Sequence, residues 1–431
     1  MSGQLAGPGA FCQSFFVDQN EGRTVRQSTP PFAFFFLVLP YGISSGFVSI
    51  TLPFFLTRAG FSVAAAGAIV AVGVSANLWL FLWGPLADLT LTPKRWYLVG
   101  LTTGAGAIFV LSLIPFQQGS AALLTVMVFL SQIATTLVVL PLGGLMAHTV
   151  SDNQKGRAAG WYQAGNLGGN GVGGGAGVWL GAHMSKELAG SVLGLAMLLS
   201  ALALYLASDV RIVSAGESFR SRMHLLGRDL LAMVKMAIPL LTIVLVASPI
   251  GAGAMNNLWS AVADDWHANA DTVALVTGVL NGIVAAVGCV LAGWVVDRFG
   301  RWWAYFGFGL ALAFVAIVMA LLARTPLVYE VGVLIYSFFV GAGYAAFSAM
   351  VVHAIGKGVA STKYAFCQSL GNLPVVYMTA LNGYVHDRYG TSWMLMNEAL
   401  AALVCVVAGL LALRAIVNRS IAPAGRYYAR K

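Results

Sequence analysis

The chain has 431 residues, of which 59% are hydrophobic and 9% are charged, and its formal net charge is +9. Soluble domains carry roughly 25% charged residues, so this composition excludes an ordinary water-soluble protein and indicates a surface that faces lipid. The basic residues are spread over short loops rather than gathered into one patch, so we expect no nucleic-acid partner.

Residues 1–30 are polar and rich in turn-forming residues, with no basic segment before a short apolar run. They are typical of a cytoplasmic tail rather than of a cleaved signal peptide. Cys12 lies in this tail, and Cys289, Cys367 and Cys405 lie in apolar runs. Because no CxxC pair or His/Cys metal spacing occurs, we expect no disulfide framework, no metal and no cofactor.

Apolar runs of about 20 residues, the length that a helix needs to cross a bilayer, follow one another along the chain. They predict an all-α membrane protein with twelve transmembrane helices. The predicted spans are 31–57, 63–87, 96–115, 121–147, 157–181, 190–209, 233–258, 271–296, 302–323, 327–352, 362–385 and 393–416.

Most Lys and Arg residues fall in the tails and in the loops on one side of these spans. The other side has only Arg58, Lys186, Arg324 and Arg388. Since basic loops remain in the cytoplasm, both termini are predicted to be cytoplasmic.

The two halves of the chain resemble each other. Pro40 and Gly42 in span 1 recur as Pro249 and Gly251 in span 7, and similar matches in order link spans 2 and 8, 4 and 10, and 5 and 11. This repeat predicts two pseudo-symmetric six-helix bundles that rock about a central site, as in secondary transporters. The predicted division is a tail at 1–30, bundles at 31–209 and 233–416, a cytoplasmic linker at 210–232 and a tail at 417–431.

Polar side chains near the middle of the spans are candidate substrate ligands. Span 5 carries Gln163, Asn166 and Asn170 on one helical face, and span 11 carries Gln368 and Asn372 on another. The remaining candidates are Asn77, Trp79, Gln132, Asn281 and Tyr364. Amides donate and accept hydrogen bonds, so such a cleft would suit sugars or peptide-like groups; interhelical hydrogen bonding is the alternative role of each.

Span 5 also contains a run of glycines from Gly165 to Gly177. Small residues at such spacing allow helix backbones to approach closely, and they also give little resistance to bending. The sequence is therefore compatible with two roles for the glycine run, tight helix packing and a hinge.

A proton-coupled transporter needs a buried acid. Glu398 and Glu330, near the outer ends of spans 12 and 10, are the candidates, and interfacial charge is the alternative for both. No phosphate-binding loop for ATP occurs. A membrane enzyme and a receptor are the two other classes of function, and the sequence has no evident grouping of catalytic residues. Within transport, the main alternative is a proton-driven exporter of amphiphilic drugs or metabolites.

The segment Gly293-Trp-Val-Val-Asp297-Arg298-Phe-Gly300-Arg301 resembles the GxxxDRxGR signature of the major facilitator superfamily. A first copy at Gly84–Asp88 keeps the glycine and the acid but has Leu89 in place of the arginine. The resemblance implies that Asp88, Asp297, Arg298 and Arg301 form a conformational latch, in which a carboxylate meets a helix N-terminus.

Three shorter patches suggest a branch of that family. They are Tyr41–Gly46, Phe81–Asp88 and Ser361–Ala365, which look like the branch of AmpG-type muropeptide permeases, acetyl-CoA transporters and related siderophore permeases. This similarity implies a monomeric carrier in a bacterial inner membrane that takes up a muropeptide-like or siderophore-like solute with protons. The chain is too short to hold the two additional spans that some muropeptide permeases have. A siderophore permease is therefore the alternative to a muropeptide permease within this branch.

Overall fold

The computed structural model of the chain describes residues 29–80, 82, 91–150, 154–208, 224, 227–228, 231–355 and 360–428. These residues form helices and turns and no strand. Eight of the described helices are long and apolar enough to cross a membrane. The predicted fold class, twelve helices in two six-helix bundles, is confirmed.

Three of the first six helices begin at a polar side chain that caps them. Ser62, Thr92 and Ser185 each accept a hydrogen bond from a backbone N–H in the first turn of helices α2, α3 and α6, which satisfies a donor that the helix itself cannot. The helices are α1 Ala33–Arg58, α2 Val63–Trp79, α3 Pro93–Leu113, α4 Ala121–Thr149, α5 155–183 and α6 Lys186–Tyr205.

Tight turns separate two pairs of helices in the second half of the chain. Gly300 and Gly390 have φ of +86° and +85°, a conformation that glycine adopts without a steric penalty, and they divide α8 from α9 and α11 from α12. The helices are α7 Ala237–Val246, α8 270–299, α9 Arg301–Leu321, α10 Pro326–Ile355, α11 Ala360–Tyr389 and α12 Thr391–Tyr428.

Helix α7 differs from the predicted span 233–258, because it ends at Val246. Irregular chain follows, with short 3₁₀ turns at Ala254–Asn257 and Ala263–Trp266. Gly251 and Gly253 have φ of +67° and +66°, which a right-handed helix cannot contain. At the matching place in the first half, Pro40 lies inside the continuous helix α1.

The two bundles share one packing pattern. In the first, α3 packs against α4 and α6; in the second, α9 packs against α10 and α12. Likewise, α2 packs against α4 in the first bundle, and α8 packs against α10 in the second. These helix pairs are related by the sequence repeat, and each bundle therefore buries its apolar surface in the same way.

Helix α5 packs closely against both bundles through its glycines. Cβ atoms on Gly165, Gly169 and Gly173 would collide with the backbone of α1, and a Cβ on Gly175 would lie 2.7 Å from the carbonyl oxygen of Ala274 in α8. The glycine run thus serves close packing on two sides. Short π-helical segments occur in α1, α5 and α8 where these contacts lie.

Candidate functional site

The two bundles meet at the end of the molecule where α1 ends and α2 begins. We call this the outer end, following the predicted topology. A Cβ on Gly67 of α2 would lie 3.2 Å from the carbonyl oxygen of Thr379 in α11, and a Cβ on Gly383 would lie 2.9 Å from the carbonyl oxygen of Val63. The other close seam joins α5 and α8. Both seams bring backbones from different halves into contact, so the outer end is closed.

Charged groups bridge the halves at the rim of these seams. Arg58 Nη2 lies 3.1 Å from Asp264 Oδ1, and His183 Nε2 lies 3.6 Å from Asp271 Oδ1. The N–H of Ala64, in the first turn of α2, donates to Asp387 Oδ2 of α11 over 3.1 Å. A carboxylate is stabilised at a helix N-terminus, so Asp387 joins α11 to the opposite half.

The predicted amide stripe of α5 faces the cleft between the halves. A Cβ on Gly169 would point toward α1 and one on Gly171 toward α8. With 3.6 residues per turn in this part of α5, Gln163, Asn166 and Asn170 fall on the arc between these two directions. The opposite arc carries the exposed Trp161. Asn170 donates to Ser45 Oγ of α1 over 3.4 Å.

The amides of α11 lie on the face that meets the opposite half. Gln368 and Asn372 share a helical stripe with Thr379 and Gly383, since these positions are 4, 7 and 4 residues apart, and at the outer end this stripe touches α2. Gln368 Oε1 is buried and has no hydrogen-bond partner, while Asn372 donates to the carbonyl of Gln368 over 2.9 Å. The side chain of Tyr364 lies outside the described residues.

The other predicted ligands divide into two groups. Asn77 accepts a 3.0 Å hydrogen bond from Tyr41 in α1, and Trp79 is 48% exposed, so neither is enclosed within one bundle. Gln132, in contrast, is buried and donates to Ser44 Oγ over 2.9 Å, and Asn281 is bonded to a carbonyl of its own helix. The position of Gln132 favours helix packing.

Tyr344 of α10 was not predicted from the sequence. Its side chain is 49% exposed, and its charge would be felt by Tyr41 of the other half. Tyr344 is therefore a further candidate for the space between the halves. A mid-span tyrosine flanked by glycine and alanine was the available signal.

Glu398 is the most enclosed acid of the described chain, with 3% of its surface exposed. Its oxygens accept hydrogen bonds from Tyr336 of α10 over 2.9 Å and from Asn382 of α11 over 2.5 Å, and from the backbone N–H of Ala254. Asn397 donates to Asn382 over 2.7 Å. Glu330 is only partly buried. Of the two predicted proton sites, Glu398 is therefore the more deeply buried.

A second acidic cluster, also missed from the sequence, lies beyond the spans at the outer end. His386 Nε2 is 2.7 Å from Asp265 Oδ2, and Thr391 donates to the same oxygen over 2.5 Å. Burial alone would lower the pKa of His386, but hydrogen bonds to Asp265 and Asp387 raise it above its ordinary value. Burial would raise the pKa of Asp265, but His386, Thr391 and the charge of Arg324 lower it.

The predicted latch is only partly described. Asp88 lies outside the described residues, and Asp297 is described as backbone near the end of α8 without its side chain. Arg298 lies 5.9 Å from the ring centre of Trp294, and Arg301, at the start of α9, has a buried Nε without a partner. Among the described residues, no group of three His, Cys, Asp or Glu could hold a metal ion.

A comparison with protein-family models identifies one family for this chain. A family model described as "Major Facilitator Superfamily" matches residues 34–373 and 241–426. Among curated proteins, no sequence matches this chain.

Solved structures share the fold at low sequence identity. The crystal structure of the nucleoside transporter NupG superposes with a TM-score of 0.69 at 12% identity, covering 89% of this chain and 98% of that one. The peptide transporter POT in complex with sulfate gives 0.68 at 15% identity, covering 92% and 95%. The tetrameric PepTSo2 structure gives 0.65 at 13% identity, covering 90% and 98%.

Proposed function

The chain belongs to the major facilitator superfamily, and we propose that it is a secondary active transporter that takes up a polar organic solute by alternating access with protons. The proposal is supported by the closed outer end together with the helical spacing that gives α5 and α11 one amide stripe each. A cleft sealed at one end and lined from both halves is what rocking bundles require.

The chemistry of the cleft supports a solute rich in hydroxyl and amide groups. The predicted cleft residues are amides and aromatic side chains, and none carries a formal charge. Such groups pair with sugars and peptide bonds, as in a muropeptide-like or siderophore-like solute. The similar structures are described as transporters of nucleosides and peptides, which fall in the same chemical range.

Glu398 supports coupling to protons. It is a carboxyl buried within the predicted span 12, and in the described chain no cation contributes to its surroundings. A buried acid without a fixed counter-charge is suited to binding and releasing a proton. We place the protein in a bacterial inner membrane, as a monomer with both termini in the cytoplasm.

Uptake into proteoliposomes tests this proposal. The purified chain is reconstituted, an inward proton gradient is imposed, and labelled anhydro-muropeptides, ferric siderophores, nucleosides and dipeptides are compared. We expect gradient-dependent accumulation of one of these polar classes. If the proton gradient instead drives export of amphiphilic drugs from the cytoplasmic side, and none of the polar solutes is transported, the protein is the exporter of the alternative hypothesis.

A further inference from the structure

The interruption of α7 is held in place by side chains from neighbouring helices. A helix that stops inside a membrane leaves backbone groups without partners, and each must be satisfied by other protein groups. Tyr305 of α9 donates to the carbonyl of Leu245 over 3.0 Å, and Tyr377 of α11 donates to the carbonyl of Ala247 over 3.1 Å. Two carbonyls at the break thus accept hydrogen bonds from tyrosines, and that of Leu245 also accepts from the N–H of Ser248 over 3.1 Å.

The backbone donors beyond the break are satisfied by an acid and its partner. The N–H of Ala254 bonds to Glu398, and the N–H of Met255 bonds to the hydroxyl of Tyr336, which itself donates to Glu398 over 2.9 Å. The carboxyl of Glu398 is therefore the central acceptor for the chain that follows the break.

That chain, residues 254–266, takes part in the contact between the halves at the outer end. Leu258 lies against α2, since a Cβ on Gly67 would be 3.0 Å from its Cδ2. Asp264 pairs with Arg58 of α1. Met255, Leu258 and Trp259 also belong to one buried apolar cluster with side chains of the first half, Ile50, Phe54, Val63 and Val178. We call residues 254–266 the outer plug.

We propose that Glu398 controls opening of the outer end: its ionised carboxylate fixes the outer plug against the first half, and binding of a proton releases the plug. An ionised carboxylate accepts hydrogen bonds at both oxygens, whereas a protonated one must donate at one of them. Protonation therefore removes an acceptor from Tyr336, Asn382 or Ala254. This inference rests on the proposed function, because it takes Glu398 as the proton site.

In the described part of the chain, two tyrosines are titratable groups close to Glu398. Tyr336 faces it directly from α10, and Tyr377 of α11 is near enough to interact electrostatically. His386 lies one helical turn beyond Asn382 on α11 and is paired with Asp265 and Asp387. Protonation of His386 strengthens the polar contacts at the outer end, so its effect on opening is opposite in sign to that of Glu398.

Distance measurements between spin labels test the proposal. Cysteines are introduced at two exposed outer positions, Ala59 in the first half and Tyr389 in the second, in a chain whose native cysteines are replaced by alanine. Double electron–electron resonance in lipid nanodiscs is recorded from pH 5.5 to 9. We expect one short distance at high pH and a second, longer distance that grows as the pH falls.

The variant Glu398→Gln carries a side chain that cannot ionise. We expect it to show the longer distance at every pH, with the low-pH increase lost. The matched control Glu187→Gln removes an exposed carboxylate at the outer end and should keep the pH response of the parent. A Glu398→Gln chain with the parent's pH response, or with only the short distance, overturns the inference.

Tyr336→Phe gives a second test that leaves the carboxyl in place and removes only a hydroxyl. Because the ionised carboxylate loses a donor, the midpoint of opening should move to higher pH; an unchanged midpoint contradicts the proposal.

Uptake by the same variants separates control of the outer plug from the proposed transport function. If Glu398→Gln loses proton-driven uptake but opens like its parent, Glu398 binds the proton without controlling the plug. If the parent shows no proton-driven uptake, the proposed function fails whatever the distances show.

Discussion

Gly278 of α8 lies directly against Gly175 of α5, so that a Cβ on Gly278 would come within 2.5 Å of the Cα of Gly175. The two glycines belong to different halves of the chain. Their contact brings two backbones together at the outer end, where no side chain separates them. Closure of this end therefore requires a residue without a Cβ at position 278.

We expect Gly278→Val to prevent that closure and to lower transport more than tenfold. The added side chain meets backbone atoms, which cannot move aside as a flexible side chain could. Each bundle retains its own core, so the amount of protein in the membrane should stay near normal. Uptake and abundance are measured together.

Gly307→Val is the matched control, because a Cβ on Gly307 of α9 would meet no atom within 4 Å. This variant should transport at close to the parent's rate. If both variants lose transport equally, the glycine at position 278 is needed for helix flexibility and not for the α5–α8 contact.

Asn166→Ala and Asn372→Ala are expected to weaken the interaction with the solute. A hydrogen bond between polar groups in a membrane bundle contributes about 0.6–2 kcal/mol, so the KM of each variant should rise about 3- to 30-fold. Membrane abundance and thermal stability should change little. Initial rates of uptake over a range of solute concentrations give the KM.

Gln132→Ala provides the contrast, because its amide bonds to Ser44 inside the first bundle. This variant should lose thermal stability with an unchanged KM. If Asn166→Ala and Asn372→Ala instead lose abundance, those amides are packing groups like Gln132.

The pair formed by His386 and Asp265 should make stability depend on pH. The pKa of His386 is raised in the folded chain, so its stabilising contribution is fully present below its ordinary pKa of about 6.5 and is lost as the pH rises through the raised value. The pKa of Asp265 is lowered, so its contribution is lost only as the pH falls through that lowered value, in the acid range.

The difference in Tm between the parent and His386→Gln is therefore expected to be largest near pH 5.5–6 and to shrink toward pH 9. His183→Gln serves as control, since His183 is 3.6 Å from Asp271 and both side chains are largely exposed, a pairing that contributes little. A Tm difference for His386→Gln that is constant across this range would show that the ring acts only by packing.

Asp297→Ala tests the predicted latch at the end of α8. A carboxylate at a helix N-terminus contributes about 0.3–2 kcal/mol, so loss of the acid should slow turnover by roughly 2- to 30-fold while solute binding stays the same. Turnover comes from uptake at saturating solute and binding from calorimetry. Unchanged turnover would remove Asp297 from the transport cycle.

Much of the fold followed from hydropathy, because lipid requires each span to satisfy its own backbone. The predicted spans match the described helices closely in α3, α9 and α10. The prediction failed at α7, where the apolar run continues past Val246 but the helix does not. Apolar composition reports burial in lipid or protein, and it cannot reveal that Tyr305, Tyr377 and Glu398 replace the missing helical hydrogen bonds.

The candidate site was predictable only in part. Helical spacing alone placed Asn166 and Asn170 on one face, and Glu398 stood out as an acid inside an apolar run. The partners of these residues come from other helices, so sequence spacing could not identify Tyr336, Asn382 or the pairing of Asp265 with His386.

The sequence by itself determined that the chain lies in a membrane, how many times it crosses, and that its halves are related, because these follow from transfer of side chains into lipid and from residue spacing. Only the tertiary structure decided which end is closed and which acid contacts the interrupted helix. Those relationships depend on distances between helices far apart in the chain, and no local pattern encodes them.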